Sequence, residues 1–119
     1  MDVNEMLLCT HNPLLIKDFY GILRDEGFDV AIADHPARAV QMVLEREYAS
    51  VIIDSESFGL SAEEAVQIIR RTLPGIPIVV VGLKQHIPDV LNVRMPIDLE
   101  EFKQTILDVR RVGALYRTA

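Results

Sequence analysis

Short apolar runs alternate with amphipathic stretches along this chain. The runs predict five strands, over residues 6–9, 28–33, 50–54, 76–81 and, more weakly, 90–94. The stretches after the first, second, third and fifth runs place apolar residues three and four positions apart, which is typical of helices with one buried face. Strands that alternate with such helices predict a parallel α/β sheet, and right-handed crossovers place the helices on both of its faces.

Each predicted helix has a recognisable start. The expected caps are Asn12 before Pro13, Asp34 or His35 before Pro36, Ser61 in a capping box with Glu64, and Asp98. The expected buried stripes are Leu14, Leu15, Phe19, Ile22 and Leu23; Ala39, Val40, Val43 and Leu44; Ala65, Ile68, Ile69 and Leu73; and Leu99, Phe102, Ile106, Leu107 and Val109. The last helix is predicted over residues 99–112.

The connection between the fourth and fifth strands is unusually short. It comprises Gly82 to Asp89 and contains Pro88. Parallel neighbouring strands normally need a crossover of about a dozen residues or more, usually with a helix. The sequence therefore predicts that the helix between these two strands is reduced or absent.

Length and composition indicate one folded domain. The 119 residues are 50% hydrophobic and 25% charged, and 12 basic against 18 acidic residues give a formal charge of −6. We predict a single domain over residues 1–119, with residues 1–4 and 113–119 as flexible ends. The negative charge disfavours direct nucleic acid binding, because phosphate contacts need clustered Lys and Arg.

Cysteine content and hydropathy bear on the compartment. Cys9 is the only cysteine, so the chain forms no internal disulfide, which suits a reducing compartment. No apolar stretch reaches the roughly 18 residues of a spanning helix, and the first residues lack the basic region of a signal peptide. We therefore expect a cytoplasmic protein without membrane association.

Asp54 is the main candidate for chemistry. It ends the apolar run Val51-Ile52-Ile53 and should lie at the carboxyl edge of the sheet, where open α/β sheets place their ligand sites. A single carboxylate there can accept a phosphoryl group, help to hold a metal, or cap the following turn. The residues at the ends of the other predicted strands distinguish between these alternatives.

The chain resembles the receiver domains of bacterial two-component response regulators. The matching segments are residues 6–13, 51–54, 77–82 and 94–97, and the resemblance covers nearly the whole chain. It implies a flavodoxin-like (CheY-like), doubly wound, five-stranded parallel sheet. It also implies phosphoryl transfer from a histidine kinase to Asp54, assisted by Mg²⁺ that the acceptor and an acidic pair after the first strand hold.

The positions that support this chemistry in the family carry other residues in this chain. Thr10 and His11, followed by Asn12, stand where the acidic pair is expected. Gly82 replaces a Ser or Thr, Met95 replaces a Lys, and Asn92 replaces an aromatic switch residue. Asp54 and Glu56 remain as weak metal candidates. Each charged group that is lost would contribute several kcal/mol to stabilising the transition state of phosphoryl transfer. Because several are lost together, we expect phosphorylation of Asp54 to be inefficient.

Three further hypotheses concern particular side chains. His11 could donate a hydrogen bond to Asp54 in place of a metal, although a solvent-facing His11 is an equal alternative. Cys9 is expected to be a small buried apolar residue rather than a nucleophile. Leu83, Ile87, Ile97 and Phe102 are candidates for an interface with a partner or a second copy of the chain.

The combined expectation is a degenerate, or pseudo-receiver, signalling domain. It would act by protein–protein interaction, with no enzymatic activity and no cofactor. Its partner could be a histidine kinase, an output domain or a second copy. The alternative is a functional response regulator that a kinase phosphorylates on Asp54 with Mg²⁺, and that slowly hydrolyses its own aspartyl phosphate.

Overall fold

The computed structural model describes residues 4–56, 59–82, 87, 90–95 and 97–118, and side chains as far as residue 111. These residues form a five-stranded parallel sheet in the order β2-β1-β3-β4-β5. The strands are β1 (Glu5–Cys9), β2 (Asp29–Ala33), β3 (Ser50–Asp54), β4 (Ile78–Val81) and β5 (Leu91–Val93). The helices are α1 (Pro13–Asp25), α2 (Pro36–Glu45), α3 (Ala62–Thr72) and α4 (Leu99–Thr118).

The two faces of the sheet carry separate hydrophobic cores, as a doubly wound fold requires. One core lies under α2 and α3 and contains Leu7, Val51, Ile53, Val80, Ala39 and Ile69. The other lies under α1 and α4 and contains Leu8, Ile52, Val81, Phe19, Phe102 and Ile106. Every residue of β3 is buried, because helices cover this central strand on both faces.

The predicted caps are present and begin each helix where the sequence indicates. The Asn12 side chain accepts from the Leu14 N–H, and Asp98 accepts from the amides of Glu100 and Glu101. Ser61 accepts from the Glu64 N–H at 3.1 Å. Of the two alternatives for α2, the cap is His35, whose Nδ1 accepts from the Arg38 N–H at 3.1 Å.

Four leucines predicted to face the core are exposed instead. Three of them adjoin a buried residue in the sequence, and successive helical residues point about 100° apart, so only one of each pair can face the sheet. The fourth is the first residue of α4. The exposed residues are Leu14, Leu44, Leu107 and Leu99.

The end of the last helix also differs from expectation. The backbone of α4 continues through Gly113 to Thr118, so the predicted end at residue 112 is wrong. Between β4 and β5, the described residues Gly82, Ile87 and Val90 belong to no helix. Among the residues that the structure describes, no helix is both long and apolar enough to cross a membrane.

Candidate functional site

Asp54 lies at the carboxyl end of β3, as the sequence predicts, and is only 6% exposed. Its Oδ2 accepts a hydrogen bond from the Thr10 hydroxyl at 2.8 Å, and its Oδ1 accepts one from the Glu56 N–H at 3.0 Å. A buried carboxylate needs such donors, because an ionised group removed from water without partners is costly. The residues around Asp54 thus supply hydrogen bonds to both of its oxygens.

Thr10 connects this carboxylate to the start of α1. Its side chain is buried, and its hydroxyl oxygen accepts from the Asn12 N–H at 3.1 Å while the hydroxyl proton goes to Asp54. The Thr10 N–H donates to the Ala33 carbonyl at 3.0 Å, which continues the pairing of β1 with β2 by one residue. The position of Thr10 is therefore set by the sheet.

The sequence interpretation placed Thr10 near Asp54 but missed its role. β1 and β3 are parallel, and Cys9 is paired with Ile53, so the next residues along each strand are Thr10 and Asp54. Extending that register by one residue would have identified the pair. His11 has an exposed side chain on the same loop, and its hydrogen bond to Asp54 stays a prediction.

Gly82 and Met95 lie close to Ser55, the residue that follows Asp54 in the chain. A Cβ atom built on Gly82 would lie 3.1 Å from Met95 Cγ and 3.1 Å from Ser55 Oγ. The Ser55 N–H donates to the Val81 carbonyl, and the Gly82 N–H donates to the Val93 carbonyl, so strand ends hold these residues in place. Ser55 thus brings a hydroxyl group close to Gly82 and Met95, and it was not among the site residues predicted from the sequence.

A hydroxyl introduced at position 82 should be strained. Gly82 has φ +83°, which side-chain-bearing residues adopt at a cost of roughly 1–2 kcal/mol. We expect Gly82→Ser to lower the free energy of unfolding by that amount plus about 1 kcal/mol for crowding against Met95 and Ser55.

The matched control is Gly27→Ser, at φ +88° with no heavy atom within 4 Å of the added Cβ. It should show the backbone strain alone, and Met95→Ala should recover part of the Gly82→Ser loss. Urea denaturation of the variants measures these differences. Equal losses for Gly82→Ser and Gly27→Ser would contradict the crowding that the structure indicates.

The residues around Asp54 do not fit a divalent cation well. Mg²⁺ prefers near-octahedral oxygen ligands, usually with carboxylates among them. In the described part of the chain, no group of three or more His, Cys, Asp or Glu residues is arranged to hold a metal ion. Glu56 is exposed, and the contact it makes with Asp54 comes from its backbone N–H.

The interface candidates have different outcomes. Leu83 lies outside the described residues. Ile87 and Ile97 are partly buried and pack against the two cores. Phe102 is 0% exposed and stacks on Phe19, with ring centroids 4.0 Å apart, so its prediction as an interface residue is wrong. The reason is that α1 and α4 lie on the same face of the sheet and bury both rings between them.

No protein-family model and no curated protein matches this chain. Solved structures match it closely in fold.

One is a two-component transcriptional regulator AraC from Clostridium phytofermentans ISDg, with TM-score 0.85 and 17% identity over 98% of each chain. A second is a response regulator receiver protein from Sinorhizobium medicae WSM419, with TM-score 0.81 and 21% identity over 97% of this chain and 98% of that one.

A third structure is the receiver domain of a sensor histidine kinase from Pseudomonas aeruginosa PAO1. It has TM-score 0.79 and 18% identity over 95% of this chain and 99% of its own, and it was solved with a magnesium ion in its active-site cleft. These similarities extend over nearly the full length of each structure. This chain therefore has the fold of response regulator receiver domains.

Proposed function

We propose that this chain is a receiver-like signalling domain that acts through protein–protein contacts without efficient phosphorylation of Asp54. One observation supports this most directly. Thr10, Gly82 and Met95 stand at the family's acidic, hydroxyl and lysine positions, and none of them offers a carboxylate or a cation. Thr10 donates to Asp54, while Gly82 and Met95 lie close to Ser55, the next residue in the chain. Phosphoryl transfer depends on positioned charges that neutralise the transferring group, so their replacement removes most of its assistance.

The proposed partner is another protein of a cytoplasmic signalling pathway, such as a histidine kinase, an output domain or a second copy of this chain. Exposed apolar side chains support such contacts, because Met95 is 54% exposed and Leu99 is 50% exposed. Exposed apolar groups of this kind can contribute to protein interfaces. Sedimentation velocity over a range of protein concentrations tests the homodimer, which a monomer at every concentration would exclude.

Beryllofluoride, a phosphoryl mimic, tests the proposed lack of phosphorylation. We expect the backbone amide signals of Asp54, Ser55 and Gly82 to be unchanged when beryllofluoride and millimolar Mg²⁺ are added. The reason is that Thr10 and His11 replace the acidic pair that would hold Mg²⁺, and Met95 replaces the lysine, so the cations that would balance the added negative charge are not supplied. Heteronuclear NMR of the purified chain measures this, and Asp54→Asn serves as the control.

The second candidate function is a phosphorylated response regulator, which the retained carboxylate of Asp54 at the end of β3 favours. It predicts Mg²⁺-dependent shifts at these amides that Asp54→Asn abolishes. It also predicts a phosphoryl group on Asp54 after incubation with acetyl phosphate, detected by mass spectrometry of the intact protein. Either result would replace the first proposal by the second.

A further inference from the structure

A directional series of hydrogen bonds joins the start of α1 to the end of β3. The Leu14 N–H donates to Asn12 Oδ1 at 3.0 Å, and the Asn12 N–H donates to Thr10 Oγ1 at 3.1 Å. The Thr10 hydroxyl then donates to Asp54 Oδ2 at 2.8 Å. On the far side of the carboxylate, the Glu56 N–H donates to Oδ1. The loops after β1 and β3 are thus linked through Asp54.

The bond between Thr10 and Asp54 is the only step of this series between two side chains. It joins residues 44 positions apart and is buried. Hydrogen bonds to an ionised acceptor are stronger than neutral ones, and exclusion of water strengthens them further. This bond therefore constrains the two loops more than the local backbone contacts on either side of it.

The same bond conflicts with cation binding at this edge of the sheet. The Thr10 hydroxyl directs its proton at Asp54 Oδ2, and it carries no charge that could attract a cation. A carboxylate at position 10 would reverse both properties, because it accepts hydrogen bonds and attracts Mg²⁺. The residue at position 10 therefore influences whether a hydrogen bond or a metal ion links the two loops.

We propose that Thr10 is a positioning residue that takes the place of a divalent cation. Its hydroxyl holds Asp54, and with it residues 10–12 and 54–56, in a single arrangement that requires neither Mg²⁺ nor phosphorylation. The proposal rests on the proposed function in one respect, since it assumes that Asp54 is not used for phosphoryl transfer. A partner that contacts this edge of the sheet would then meet the same surface at all Mg²⁺ concentrations.

The first test compares Thr10→Val with Thr10→Ser. Valine has nearly the shape of threonine but cannot donate to Asp54, whereas serine keeps the hydroxyl. The Glu56 N–H donates to Asp54 rather than to Thr10, so we expect its amide proton to exchange with solvent at least about tenfold faster in Thr10→Val. The Asn12 amide is not used as a reporter, because valine also removes the oxygen that it donates to. Core amides of β3 should report the global stability, so a general destabilisation is recognised separately. Thr10→Ser should retain slow exchange.

The second test introduces a carboxylate and measures the response to metal. We expect the melting temperature of Thr10→Asp to rise by about 3–6 °C in millimolar Mg²⁺, because bound metal stabilises the folded state. Thr10→Asn, which has a similar shape and no charge, should not respond, and neither should the unaltered chain. If Thr10→Asp does not fold, the comparison of Thr10→Val with Thr10→Ser still tests the role of the Thr10 hydroxyl.

Two results would overturn the inference. One is an unchanged exchange rate of the Glu56 amide proton in Thr10→Val, and the other is a Mg²⁺-dependent rise in the melting temperature of the unaltered chain. The first could occur while beryllofluoride still leaves Asp54 unchanged. In that case the role of Thr10 is refuted and the proposed function stands. A beryllofluoride response in the unaltered chain refutes the proposed function instead.

Discussion

Replacing Phe102 with alanine is expected to lower the free energy of unfolding by about 3–5 kcal/mol. The ring is fully buried between α1 and α4 and is nearly parallel to Phe19, with 6° between the ring planes. Its removal would leave a cavity and would also remove the stacking interaction with Phe19. Urea denaturation monitored by far-UV circular dichroism measures the change.

Leu99→Ala is the matched control on the same helix. Leu99 lies three residues before Phe102 and is half exposed, so its truncation should cost less than about 1 kcal/mol. Phe102→Leu should fall between the two, because leucine fills part of the cavity. If Phe102→Ala lowers the free energy of unfolding no more than Leu99→Ala does, Phe102 is not buried as the structure shows. It would then again be a candidate interface residue.

The chain should also lose stability at alkaline pH through Cys9. The thiol is fully buried, and burial is the main cause that raises its pKa from 9.0 to about 12, with smaller contributions from the carboxylates of Asp54 and Asp34. The unfolded chain releases this proton at the ordinary value, while the folded chain retains it. The unfolded state therefore binds fewer protons above pH 9, and stability falls as the pH rises towards the folded-state pKa.

The shift of about three pKa units between 9.0 and about 12 corresponds to roughly 4 kcal/mol across that pH range. Cys9→Ala removes the titrating group and should flatten the pH dependence of the unfolding free energy, although it costs stability at neutral pH. Tyr48→Phe is a second control, because burial also raises the pKa of Tyr48 above 10.0. Identical alkaline slopes for the unaltered chain and Cys9→Ala would show that Cys9 does not contribute.

The same burial makes Cys9 a poor nucleophile. A thiol reacts as its thiolate, and at neutral pH a raised pKa leaves almost none of it. This agrees with the sequence interpretation of Cys9 as a small apolar residue. Cys9 is therefore not a candidate for nucleophilic chemistry at neutral pH.

The arrangement of strands and helices could be predicted from the sequence because it follows from local periodicity. The run over residues 50–54 is apolar throughout because both faces of β3 are covered, and Asn12, Ser61 and Asp98 begin their helices by contacts within three residues. Such contacts depend on neighbours along the chain. Periodicity was less informative where two apolar residues are adjacent, as with Leu107 and Ile106, because either one could face the core.

Asp54 at the carboxyl edge of the sheet was determined by the sequence alone, since its run ends there and parallel strands place their carboxyl ends together. Only the tertiary structure decided which side chains contact Asp54 and which residues pack together elsewhere. The hydrogen bond from Thr10, the close approach of Met95 and Ser55 to Gly82, and the stacking of Phe102 on Phe19 all join residues distant in the chain. Their contacts depend on strand register and helix packing to within a few tenths of an ångström, which no local pattern of apolar and polar residues encodes.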